Sequence, residues 1–168
     1  NYTWNFEDGN FGYGEYVDHS FIGSGIYNVT LMVTDNLGGM GYDTVTIYVP
    51  NEPPIVYAGE DKRTIEDEAI WFNATAIDAI PDLPYLEYKW DFGDGQYRYR
   101  QNTTHGFKYA GNYTAVLSVW DDEGALGMDT LNVTVENEPP IADAGSDIIT
   151  NEDDPVHFDA SGTMDTPS

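Results

Sequence analysis

The sequence predicts an all-β protein made of tandem immunoglobulin-like antiparallel β-sandwiches. Three observations carry this. Trp4 and Trp90, Gly25 and Gly111, Asp35 and Asp121, and Asn51 and Asn137 are each separated by the same 86 residues, so one unit recurs without a slip in register. Apolar residues alternate with period two, as half-buried strands require. Between those runs the chain is broken by Gly, Asn, Asp and Pro, and no helical period emerges.

The elements follow in order. Residues 1–50 are read as the later part of one unit, 51–136 as a complete unit and 137–168 as the opening of a third. In the first, WNFEDG (Trp4 to Gly9) precedes an alternating strand with Tyr27, Val29, Leu31 and Val33 on one face. The pair Pro53, Pro54 in NEPPI then marks a junction, because proline cannot sit inside a central strand. In the complete unit, Ile70, Phe72 and Ala74 alternate, then WDFGDG (Trp90 to Gly95), then Tyr113, Ala115, Leu117 and Val119, then Leu131, Val133 and Val135. About seven short strands per unit fit an immunoglobulin-type sandwich. NEPPI returns at Asn137 with Pro139 and Pro140. The short proline-containing junctions leave little linker freedom, which predicts an extended array.

WDFGDG contains the Asp-Phe-Gly triplet that holds magnesium in protein kinases, but the Gly-rich loop, strand lysine and catalytic loop that must accompany it are missing. Repetition gives it a structural meaning instead: a strand end with Trp90 and Phe92 on the buried face, running into a turn supplied by Asp94 and Gly95. The histidines offer no catalytic company. His19 and His105 are equivalent positions, each two residues before a Phe, which points to a packing or turn role. No HExxH, phosphate loop or nucleophile elbow is found, so no enzyme is expected.

Thirty acidic residues against six Lys and Arg give a formal charge of −24. Such a chain repels nucleic acid and anionic lipid, which excludes both as partners of this segment and favours cations; halophilic adaptation explains the surface equally well. There is no cysteine, hence no disulfide framework, and no apolar run long enough to insert in a membrane. The chain starts inside a repeat, so Asn1 is not expected to be a native start, and targeting segments would lie outside it.

The NEPPIADAG opening at Asn137, FDASGT at Phe158, WDFGDG at Trp90 and GNYTAVLSVWDDEG from Gly111 together resemble the polycystic kidney disease (PKD) repeat over the whole chain. The loop IDAIPDLPYL from Ile77 to Leu86 departs from that family's usual Asp-Pro-Asp-Gly. The resemblance implies a non-catalytic extracellular spacer or adhesive module at the cell surface, and the NEPP openings look most like archaeal surface proteins. The leading expectation is a glycosylated surface filament, stalk or surface-layer component. The rivals are an accessory spacer or polymer-binding module of a secreted hydrolase, and an adhesin.

Two kinds of site are expected. Asn-x-Thr sequons at Asn1, Asn28, Asn73, Asn102, Asn112 and Asn132 exceed chance, and strand parity turns Asn28, Asn73, Asn112 and Asn132 away from the core, so N-linked glycans are expected there, covering outward Trp71 and Trp120. At the pole where an immunoglobulin topology gathers the first strand's start and two loops, Asn51, Asp78, Asp82 and Asp121 offer hard oxygens for calcium, with Asn137 and Asp165 beginning the next equivalent site. Finally, residues 1–50 and 137–168 are complementary parts of one unit, so neighbouring copies are expected to meet head to tail in a composite sandwich, either as excerpts of one continuous repeating chain or as separate subunits that complete each other's sheets.

Overall fold

The computed structural model describes residues 1–165. They form two compact units: residues 1–56, 76–87 and 119–127 in the first, and residues 57–75, 88–118 and 128 onward in the second. Immunoglobulin-like sheets make up both, and among the described residues the one helical element is a 3-10 turn at Leu83–Tyr85.

In the first unit, β1 (Tyr2–Asn5), β2 (Phe11–Tyr13), β3 (Gly25–Thr34) and β4 (Met40–Val49) form a sheet in the order β2-β1-β3-β4. All its pairings are antiparallel, with Trp4 opposite Leu31 and Val29 opposite Val45. The alternation puts Tyr27, Val29, Leu31 and Val33 on one face as expected, but only Val29 is buried, at 5% exposure. Val45 on β4 stays 49% exposed. This sheet therefore carries an apolar face that is incompletely covered.

The second unit is better filled. β9 (Glu87–Asp91), β10 (Tyr97–Arg98), β12 (Gly111–Trp120), β13 (Leu126–Glu136) and β6 (Lys62–Ile65) make a sheet ordered β10-β9-β12-β13-β6, while β7 (Ile70–Asn73) pairs antiparallel with β11 (Asn102–His105). Of its side chains, Trp90, Phe72, Phe92, Phe107, Leu117, Leu131 and Val133 are fully buried. Each such side chain contributes about 1.5–3 kcal/mol by leaving water. Phe72 packs edge-on against Trp90 and Phe92, with ring centroids 5.4 and 4.9 Å away.

One pairing departs from the expected antiparallel pattern: β6 runs parallel to β13, with Lys62 opposite Val133 and Thr64 opposite Val135. The cause is a strand that changes sheets. Its first half, β5 (Ile55–Tyr57), pairs with β8 (Thr75–Ile77), and its second half, β6, crosses to β13. Between them Gly59 adopts φ +101°, a conformation side-chain-bearing residues rarely reach. Two hydrogen bonds fix the crossing: the Ala58 amide donates to Asp129 Oδ2 at 2.8 Å, and the Asn132 amide to Asp61 Oδ1 at 2.7 Å.

Residues 137–165 correspond to the opening of a third repeat. Between residues 137 and 165 the only pairing is a single bridge, Ile141 to Met164, and Ile149 and Phe158 are exposed. A lone strand has no ladder and no second face on which to bury its apolar residues, so it gains too little to offset its conformational entropy.

Candidate functional site

The tight turns carry a polar constellation that recurs in both repeats. His105 Nε2 lies 2.8 Å from Asp94 Oδ2, and its ring stacks on Phe92 with centroids 3.9 Å apart. His19 repeats this on Asp8 at 2.7 Å and on Phe6 at 3.8 Å. Burial pushes the Asp8 carboxyl up, but hydrogen bonds from His19 and Asn10 outweigh it and hold it below the ordinary range. A catalytic pair needs an open histidine face beside a nucleophile or substrate. His105 is instead 4% exposed, with one ring face covered by Phe92 and Phe107 packed edge-on. The pair clasps the turn after β9 to strand β11. Sequence reading assigned the histidines to packing and missed their aspartates; the shared spacing of eleven residues, Asp8 to His19 and Asp94 to His105, was the available signal.

Among the predicted cation ligands, Asn51, Asp78, Asp82 and Asp121 all belong to the first unit. Asn51, Asp78 and Asp82 line a cleft of about 400 Å³ together with Ser24, Val49 and Ile77. Asp121 is already engaged: Oδ2 accepts from Asn51 Nδ2 at 2.8 Å, and Oδ1 accepts from the amides of Glu123 and Ala125 at 3.0 and 2.8 Å. Burial pushes its carboxyl up, but those hydrogen bonds, led by the one from Asn51, prevail and hold it below its ordinary value. Asp78 Oδ1 accepts from the Ala79 amide, whereas its Oδ2 is buried without any hydrogen-bond partner. Asp82 is only 8% exposed; burial, and then the nearby Asp122, Asp78, Glu123 and Asp121, push its carboxyl above the ordinary value. An orphaned carboxylate oxygen beside a buried, repelled carboxylate is a donor set whose chemistry fits a hard cation. Even so, among the described residues no three His, Cys, Asp or Glu side chains converge in metal-holding positions. Asn137 and Asp165 are exposed; Asp165 lines a shallow cleft with Ile141 and Met164, while Asn137 Nδ2 donates to the Glu138 carbonyl.

All six sequon asparagines are exposed. Parity holds on the strands: exposed Asn28 adjoins buried Val29, Asn73 adjoins Phe72, and Asn132 adjoins Val133. Where these asparagines hydrogen-bond through their side chains, the carbonyl oxygen is used: Asn28 Oδ1 accepts from Thr46, Asn112 Oδ1 from Thr134, Asn132 Oδ1 from Thr114, and Asn102 Oδ1 from the Ala74 amide. That orientation holds the amide nitrogen, the atom a glycan modifies, away from the acceptor contact. Trp71 is 63% exposed, while Trp120 is half-buried rather than fully outward.

The family profile described as PKD domain matches residues 1–49 and 51–135. Collagenase ColA of Clostridium perfringens is 29% identical over 126 residues, covering 75% of this chain and 11% of that protein. The Dyslexia-associated protein KIAA0319-like protein of Mus musculus is 28% identical over 158 residues, covering 84% of this chain and 15% of that protein. The chain thus spans less than a fifth of the length of these relatives. Among solved structures, the PKD1 domain of Vibrio anguillarum Epp aligns with a TM-score of 0.42 and 27% identity, over 52% of this chain and 98% of that one.

Proposed function

Because the chain belongs to the PKD domain family, matched in two successive repeats, we propose that it is a non-catalytic accessory spacer of a secreted or cell-surface protein. The observation that carries this is the unbroken 86-residue register, which turns repeat number into reach. No helix among the described residues is long and apolar enough to cross a membrane. Adding or removing one repeat in the parent protein is expected to change the distance between fluorophores on its flanking domains by a constant step. A distance that ignores repeat number would sink the spacer reading.

A second reading, binding of an extracellular polymer, is favoured by one asymmetry. All six Lys and Arg fall in the complete repeat, where Arg98 and Arg100 flank exposed Tyr99, and Trp71 is open to solvent. Cosedimentation with collagen fibrils or insoluble polysaccharide, lost on Trp71→Ala, would select it over pure spacing.

Glycans on Asn28, Asn73, Asn112 and Asn132 belong to the same extracellular role. In natively sourced protein, peptides containing these sites are expected to exceed their polypeptide masses by the mass of a glycan. Unmodified peptides at all four would reject the assignment.

Calcium at the acidic cleft is the third part of the proposal. Asp78 and Asp82 would bind it, with Asn51 and Asp121 reorienting to complete the shell. The pH dependence has a definite sign. Asp82 has a raised folded-state pKa, so its contribution is fully present below the ordinary aspartate pKa and is lost as pH rises through the raised value. At neutral pH with chelator, Asp82→Asn should therefore melt a few °C above the wild type. Calcium at a hundredfold excess over its dissociation constant should raise wild-type stability by about 2.7 kcal/mol and leave the variant much less affected. Identical melting of the wild type with calcium and with EDTA would show the cleft to be merely solvated.

A further inference from the structure

Two of the six sequons meet across one ladder. β7 and β11 pair antiparallel so that Asn73 lies directly opposite Asn102, and Trp71 directly opposite Thr104, the residue that completes the Asn102 sequon. Phe72, between Trp71 and Asn73, is 0% exposed, so both of its neighbours on the strand point away from the core. Trp71, Asn73, Asn102 and Thr104 therefore share one outward face, and all four are exposed.

Room on that face is limited. Directly opposed residues have Cβ atoms only about 4.5–5.5 Å apart, and a pyranose ring with its hydroxyls is wider than that. Both asparagines cannot project a sugar without prising the strands apart. The hydrogen bonds decide between them. Asn102 is drawn across the ladder: its Oδ1 accepts from the Ala74 amide at 3.1 Å, and Ala74 is only 3% exposed, so swinging the carboxamide outward would leave a buried amide unpaired. Gln101 reinforces the same tie, its Nε2 donating to the Ala74 carbonyl at 3.1 Å. Among the described residues the Asn73 side chain has no such tether.

We propose that Asn73 is the glycosylated member of this opposed pair, that its first sugar stacks on the Trp71 ring, and that Asn102 stays bare. Trp71 is 63% exposed and stands two residues before Asn73 on the same face, about 6.5–7 Å along the strand. A sugar linked to Asn73 Nδ2 reaches the indole from there. The carbon-bound hydrogens of a pyranose form an apolar face, which suits the negative face of the aromatic ring. In that position the sugar also lies over Thr104 and closes the second sequon. Trp71 further lines a shallow cleft of about 340 Å³ with Lys62, Arg63 and Ile70, where the following sugars find hydrogen-bond donors on an otherwise acidic surface. This inference rests on the glycan reading above and narrows it to one of two competing sites. It also makes a sugar on Asn73 and polymer binding at Trp71 mutually exclusive.

Two measurements on natively sourced protein test it. Site-resolved mass spectrometry reads the occupancy of each sequon, and brief hydroxyl-radical oxidation, mapped on the same peptides, reads how open Trp71 is. Occupied Asn73 and unmodified Asn102 are expected. Trp71 should oxidise several-fold more slowly in the native protein than in an Asn73→Gln variant from the same host, and an Asn102→Gln variant should behave like the native protein. The bare polypeptide made in a bacterial host gives the open reference without any substitution. With sugars present at other sequons, a bare Asn73, a sugar on Asn102, or Trp71 oxidised as fast with the Asn73 glycan as without it would overturn this inference alone. Unmodified asparagines at all six sequons would overturn it together with the glycan reading.

Discussion

Trp90→Ala is expected to destabilise the second unit by about 3–5 kcal/mol, the range for truncating a fully buried tryptophan. The side chain is 0% exposed, and it touches Phe72 edge-on and lies parallel to Phe92. Its indole Nε1–H also donates to the Gln101 carbonyl at 3.1 Å, so truncation leaves that acceptor unsatisfied in addition to opening a cavity. Folded domains have only about 5–15 kcal/mol to lose, so the variant should sit near its unfolding threshold. Trp4 makes the equivalent bond, to the Gly14 carbonyl at 3.1 Å, but on a half-buried side chain. Trp4→Ala should accordingly cost less than half as much. Urea titrations of both variants check the contrast, and equal losses would mean that burial does not separate the two repeats.

The second large effect should come from a single added methyl group. Gly127→Ala places its Cβ 2.0 Å from the Pro54 carbonyl oxygen and 2.7 Å from Val56 Cγ2. Neither neighbour is the free end of a flexible side chain, so the backbone itself must move. We expect a loss of at least about 3 kcal/mol, the upper range for overpacking. Gly41→Ala, the same change one repeat earlier, meets nothing and should leave thermal unfolding of the single chain within about 0.5 kcal/mol of wild type. Calorimetry of the two variants measures the difference; a harmless Gly127→Ala would mean that NEPP does not press against β13 as described.

How much was legible in advance follows from which interactions are local. Strand parity is a property of consecutive residues, so the alternation at Phe72, at Leu117 and Val119, and at Val133 and Val135 was readable and each is buried. The turn after Trp90 was readable for the same reason, since Asp94 and Gly95 determine it by their own conformational preferences. A packing or turn role for His105 is legible in the repeat, whereas its partner Asp94 shows only through the eleven-residue spacing shared with Asp8 and His19, not through the neighbours of either residue. The strand exchange at Gly59 is not legible in the local sequence either. An isolated glycine marks a break, but which sheet each half joins depends on β8 and β13, respectively about 20 and 70 residues further on.

By itself, then, the sequence determined the all-β class, the 86-residue register and the PKD family, because these rest on period, punctuation and repetition within the chain. Tertiary structure alone decided which equivalent residues are buried. Phe72 and Phe158 occupy equivalent positions of the 86-residue register, in WFNAT and HFDAS, yet one is enclosed and the other open, because burial is a property of what packs against a side chain and not of the side chain's own neighbours.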